Sequence, residues 1–258
     1  MNSQEATEPT AQPQAGAPST TLRPLIALVF LTLVTQLGSL AYAFDGSFLF
    51  VLGPSALVLC AVTIPLAASG LFLGQKIGLG APLVSALLNR TPGSGRKLLS
   101  DALLSVSLGL GLGFLLLLLR FAAQPYLPPE LPELGHRGVL GGLLVSISAA
   151  MGEEVWLRLG VLTILAWILM RFLGRHKVSP VVGWSAIVLS ALAFAAMHLP
   201  QLACYGAANS VGIAATMMGN TLVGVLFGLL YWRRSLIAAM LAHFAVDFAL
   251  HVLPALGA

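Results

Sequence analysis

The chain has 258 residues, of which 58% are hydrophobic and only 9% charged. Soluble domains carry about 25% charged residues, so this chain cannot cover a water-exposed globule, and its mean hydropathy of +0.94 is also the opposite of a disordered chain's balance. Two cysteines exclude a disulfide scaffold, which leaves an all-α bundle of transmembrane helices. The net charge of +4 does not point to nucleic acid, because the basic residues lie between apolar runs, where membrane topology accounts for them.

Residues 1–22 are rich in Pro, Ala, Gln and Thr and are expected to form a disordered tail. The tail is acidic and polar where a signal peptide would begin basic, so the first apolar run is expected to stay as an anchor. The rest, 23–258, reads as one transmembrane domain. Its seven apolar blocks run over 24–43, 48–73, 98–121, 139–172, 180–199, 210–231 and 235–254. Most are near the ~20 residues that span a hydrocarbon core. The fourth is too long for one straight crossing and holds Gly152 and Gly160, so a tilt, a break or a short second helix is expected there. About seven spans follow. An eighth would have to come from the amphipathic 76–90 stretch or from splitting block four.

Loop charges set the orientation. Lys76, Arg90, Arg96 and Lys97 lie between blocks two and three, Arg171, Arg175 and Lys177 after block four, and Arg233 and Arg234 before block seven. The 43–47 loop holds only Asp45, the 200–209 loop has no charge, and the 122–138 loop holds Glu130 and Glu133 with one Arg. If block four crosses once, every basic loop falls on one side, and the positive-inside rule puts the N-terminus in the cytoplasm. Ten Arg against three Lys, with abundant Ala, Gly and Leu, suit a GC-rich bacterial gene and hence a bacterial inner membrane.

An ionisable residue inside a span costs roughly 2.5–3.5 kcal/mol on insertion scales, which makes each one a functional candidate. Block four holds Glu153, Glu154 and Arg158 in GEEVWLR. Block five ends in Phe194-x-x-x-His198, and block seven holds His243-x-x-x-Asp247. Blocks one, two and six have no ionisable residue in their interiors. Asp101 and Arg120 sit near the two ends of block three, where snorkelling suffices. Glu154 and Arg158 are i,i+4 and can pair on one helix face. Glu153 is turned about 100° away, so that pair need not consume it, and a free carboxylate beside a bound one suits a general base. His243 and Asp247 also share a face, and Phe194 lies one turn before His198. Taken singly, each has an ordinary structural reading: a buried ion pair, an interfacial histidine, a packing hydrogen bond.

The three motifs in this order over residues 139–250 resemble the CPBP family of intramembrane proteases, which comprises CAAX-processing endopeptidases and the Abi-type bacteriocin-processing proteins. The resemblance implies that Glu153 and His198 activate a water, with Glu153 as the base. It implies that His243 and Asp247 act on the oxyanion, and that Glu154, Arg158 and Phe194 support them. Where the family pattern has Asn, an amide could donate to an oxyanion. Asp247 does so only when protonated, and otherwise orients the His243 ring. The substrate implied is a membrane-anchored or lipidated protein or peptide in the bilayer, cleaved as in CAAX-like processing or removal of a C-terminal sorting tail. No cofactor is required. Glu153, His198, His243 and Asp247 leave a zinc site as an alternative, although no His-Glu-x-x-His helix is present. Two other classes compete: a small transporter, and a non-catalytic scaffold or bacteriocin-immunity protein.

Helix rise places the motifs in depth. At 1.5 Å per residue, His198 lies about 27 Å from the cytoplasmic start of block five and Glu153 about 27 Å from the cytoplasmic end of block four, with His243 and Asp247 about 13 and 19 Å from Arg234. Convergence in the outer half of the bilayer is expected.

Overall fold

The computed structural model describes residues 21–44, 48–175 and 177–257. Residues 1–20 of the expected tail, and Asp45 of the first loop, lie outside them. Helices α1 (Leu22–Ala43) and α2 (Phe48–Ile77) are followed by a short α3 (Pro82–Leu88) and then α4 (Ser94–Ala123). Helix α5 (Gly138–Glu153) continues through a π-helical stretch, Glu154–Leu162, into α6 (Thr163–Phe172). The remaining helices are α7 (Pro180–Ala196), the short α8 (Leu199–Cys204), α9 (Ser210–Arg233) and α10 (Leu236–Asp247), which ends in a π-helical turn, Phe248–Val252. There is no strand among the described residues.

Among the described residues, seven helical segments are long and apolar enough to cross a membrane, and the protein is an all-α polytopic bundle. The 76–90 stretch gives no eighth span, because α3 has only 7 residues against the ~20 a crossing needs. Block four crosses once, as one continuous segment of 35 residues, Gly138–Phe172. The break or second helix considered for it does not occur: the wider π turns keep the helix unbroken through the middle of the span. Its glycines serve close packing instead. A Cβ at Gly160 would run into the Leu66 side chain, and one at Gly152 into Gln36.

Burial is inverted relative to a soluble protein. Leu57, Leu118 and Met218 point outward, where lipid is the solvent, while Glu154, Arg158 and His243 are buried. Between helices in lipid there is little hydrophobic drive, and close backbone approach supplies the attraction. Helix α4 meets α10 through Gly109 and Gly113, where a Cβ would strike Ala242 and Ala245, or Val246 and Ala249. Helix α9 meets α7 through Gly224 and Gly228, against Ala191 and Ile187. Both pairs are small residues four apart. They bring α9 and α10 tightly against their neighbours, and α10 carries His243.

Helix starts are capped as their sequences suggest. Ser179, Asn209 and Ser235 accept from the backbone N–H groups of Val182, Gly212 and Ala238 at 3.4, 2.9 and 3.1 Å, satisfying orphan donors at the first turns. Ser235 also donates to Asp101 Oδ2 at 2.7 Å. Asp101 is therefore not a snorkelling end residue. It is fully buried, bonded to Lys97 Nζ at 3.1 and 3.2 Å, and it ties α4 to the first turn of α10.

Candidate active site

The site is built on three elements. The α5–π junction carries Glu153, Glu154 and Arg158; the end of α7 carries Phe194 and His198; α10 carries His243 and Asp247. The functional carboxylates thus sit where α-helical turns give way to π-helical ones, a place where such turns re-aim side chains.

Glu154 and Arg158 pair as their spacing requires, Nε to Oε2 at 3.3 Å, with both side chains wholly buried. Arg158 Nη2 also donates to the Gly224 carbonyl of α9 at 3.2 Å. The guanidinium lies 4.7 Å from the Phe194 ring centre and 5.3 Å from that of Phe227, so two aromatic faces share its charge. The other carboxylate oxygen of Glu154 accepts from His243 Nδ1 at 2.8 Å. A carboxylate only accepts, so Nδ1 carries the proton. Phe227 stacks on the His243 ring at 4.5 Å, with an interplanar angle of 16°, and Phe194 meets it edge-on at 5.8 Å. The imidazole is fixed in position and tilt, with Nδ1 protonated whether the ring is neutral or charged.

Its other nitrogen, Nε2, faces two more carboxylates: Asp247 Oδ2 at 3.5 Å and Glu153 Oε2 at 3.8 Å. The Glu153 and Asp247 side chains are 21% and 14% exposed, against none for Glu154. Neither Glu153 Oε2 nor Glu154 Oε2 has a hydrogen-bond partner, but Glu154 Oε2 lies in the 3.3 Å ion pair with Arg158 and Glu154 Oε1 is bonded to His243. One carboxylate of the pair is thus spent on Arg158 and His243 while its neighbour is left open. His198 stands at the kink between α7 and α8, partly exposed. Its Nδ1 lies 2.9 Å from the Phe194 carbonyl, which can only accept, so Nδ1 carries a proton and Nε2 is the nitrogen without a hydrogen-bond partner. The Phe194 ring packs edge-on against it at 5.0 Å. His198, His243 and Asp247 are the nearby groups, beside Glu154, whose charge acts on Glu153.

All seven residues selected from the sequence therefore belong to one cluster, but the partners differ from expectation in one respect. The orienting role was given to Asp247, four residues from His243. The hydrogen bond that orients the ring comes instead from Glu154, 89 positions away, which the α5–α10 packing brings to Nδ1. Sequence reading also passed over Phe227 and Gly224, which carry no charge to mark them.

The fit of a metal is decided by the donor set. Among the described residues, no group of three His, Cys, Asp or Glu side chains is placed to hold a metal ion; the Nδ1 of His243 is engaged by Glu154, which leaves Nε2 as the ring nitrogen a metal could take.

A family model described as Type II CAAX prenyl endopeptidase Rce1-like matches residues 135–249. The resemblance drawn from the three motifs is borne out over that segment, which contains all seven residues. No curated protein matches the chain, and no solved structure matches it.

Proposed function

Starting from a 135–249 segment of the Rce1-like type II CAAX prenyl endopeptidase family, we propose that this integral membrane protein hydrolyses a peptide bond of a membrane-anchored or lipidated protein with a water activated by Glu153 and His198. The observation that carries the reading is the division of labour in the acidic pair: Glu154 is hydrogen-bonded to His243 through Oε1 and ion-paired with Arg158 at 3.3 Å through Oε2, whereas Glu153 makes no hydrogen bond and its Oε2 comes only within 3.8 Å of the His243 imidazole.

Water held between Glu153 and the free Nε2 of His198 loses its proton to Glu153, which has little solvent to stabilise its charge. The hydroxide adds to the carbonyl carbon. In its imidazolium form His243 donates Nε2–H to the oxyanion, held on line by Glu154 through Nδ1. Asp247 flanks the same nitrogen and steadies that proton. Collapse of the tetrahedral intermediate breaks the C–N bond, and Glu153 returns the proton to the leaving amine. No covalent enzyme intermediate forms. The reading includes a bacterial inner membrane, a cytoplasmic N-terminus, a single protease unit over residues 23–258, and cleavage towards the outer face. Removal of a C-terminal sorting tail would suit that location.

The test uses purified protein in liposomes with membrane-tethered peptides, and mass spectrometry of the products. Wild-type protein is expected to release defined fragments, in chelator as well as without it. Glu153→Gln is expected to lose about 10²–10⁴-fold in rate while remaining folded. A folded, fully active Glu153→Gln protein overturns the assignment. Transport without cleavage would favour a transporter.

A further inference from the structure

At the basic end of the bundle, away from the acidic cluster, a pocket of about 400 Å³ is lined by Lys76, Ile77, Gly78, Leu79, Lys177, Val178 and Trp232. Two chain segments far apart in sequence each bring one lysine to it: the turn after α2 and the segment before α7. Both lysines are exposed. The ion pairs of the described carboxylates engage Lys97, Arg158, Arg234 and His243, and neither Lys76 nor Lys177. The pocket is thus a concave site with two uncompensated cations.

Its depth in the membrane is marked by the aromatic residues around it. Lys76 Nζ lies 3.9 Å from the Phe72 ring centre. Trp232 meets Trp184 edge-on at 6.4 Å and carries the Arg233 guanidinium 4.1 Å over its ring. Tryptophan beside snorkelling cations is the pattern of the membrane–water interface, where lipid headgroups lie. Ile77, Leu79 and Val178 make the rest of the wall apolar. A free metabolite would meet this pocket from water, whereas a phospholipid presents its phosphate at this depth with hydrocarbon beside it.

We propose that this pocket binds the phosphodiester headgroup of an anionic phospholipid, with the Lys76 and Lys177 ammonium groups on the phosphate and Trp232 against the glycerol. Basic pockets between transmembrane helices recognise such headgroups through this chemistry. The pocket also reaches the rest of the fold. Tyr231, next to Trp232, accepts from the Gly80 N–H at 2.9 Å and lies 2.7 Å from Thr163 Oγ1, at the end of the π-helical stretch. A headgroup that holds the Lys76–Leu79 turn against Trp232 therefore stabilises the bundle.

The experiment measures binding and thermal unfolding of the full chain in phosphatidylcholine nanodiscs, with phosphatidylglycerol added in steps. The wild type is expected to bind phosphatidylglycerol in preference to phosphatidylcholine and to unfold at a higher temperature with it. The double variant Lys76→Gln/Lys177→Gln is expected to bind about twenty-five-fold more weakly, at the roughly fivefold each cation contributes near an anionic surface. The exposed pair Arg90→Gln/Arg96→Gln, on the same side but outside the pocket, should leave the preference intact. Equal loss in both double variants would reduce the effect to general surface charge and overturn the site. No preference in the wild type, or the same stabilisation from inorganic phosphate, overturns it as well. These readouts are independent of peptide cleavage, so the proposal stands or falls apart from the protease reading.

Discussion

Glu154 accepts the Nδ1 hydrogen of His243 at 2.8 Å while its second oxygen lies 3.3 Å from Arg158 Nε. One buried carboxylate thus joins the π-helical stretch to α10 and keeps Nδ1 of the ring protonated and held in place. In the proposed mechanism the two neighbouring glutamates do different work: Glu153 takes the proton of water while Glu154 is held by His243 and Arg158.

Removing the cation from that pair should be costly. Arg158→Leu leaves Glu154 buried beside His243 without its counter-charge, and loss of one partner of a buried pair costs about 3–5 kcal/mol. The expected result is a large drop in unfolding temperature in detergent, with loss of cleavage. An Arg158→Leu protein as stable as wild type would show that the pair does not brace the site.

Asp247 flanks His243 Nε2 at 3.5 Å, not the nitrogen that Glu154 holds. Asp247→Asn keeps a polar group of the same shape there and adds an amide donor, so it is expected to retain activity within about tenfold. Asp247→Ala removes the contact and is expected to cost about 10²–10³-fold in kcat, because the Nε2–H of His243 that meets the oxyanion is then left unsupported. Rates for both variants on one tethered peptide decide this. Equal loss in the two would show that the charge itself is required.

The placement of α10 depends on the small residues of α4. A side chain at Gly109 would enter Ala242 and Ala245, whereas one at Gly111 meets nothing within 4 Å. Gly109→Leu is therefore expected to destabilise by about 1–3 kcal/mol or more through overpacking and to displace His243. Gly111→Leu, facing outward, should be neutral. Thermal unfolding and cleavage measured side by side check the pair.

The side of the membrane on which the site opens has a native reporter. Cys204 ends α8, six residues after His198, and is exposed, while Cys60 lies within α2. A membrane-impermeant maleimide applied to intact cells is expected to label Cys204, and Cys204→Ser should abolish the label. Labelling only after the cells are opened would put this end in the cytoplasm and favour a CAAX-type substrate on that side.

The sequence by itself determined the membrane class and the seven candidate spans, and it singled out the ionisable side chains that the proposed mechanism uses. Each of these follows from a cost that acts locally. An apolar run of about twenty residues must span, and a charge inside a span is expensive wherever it lies. The i,i+4 pairing of Glu154 with Arg158 was legible for the same reason, since helix geometry puts those side chains on one face. Tertiary structure alone decided which groups meet across the bundle. The Glu154–His243 hydrogen bond, the Phe227 ring on His243 and the Gly224 carbonyl on Arg158 depend on how closely α4, α5, α7, α9 and α10 approach one another. Glycine contacts spread over several helices set those distances, and no single segment's pattern records them. Burial of Asp101 was hidden likewise: its place near a helix end suggests water, and the packing of α10 against α4 removes it. A scarcity of charge marked the site, and close packing assigned its parts.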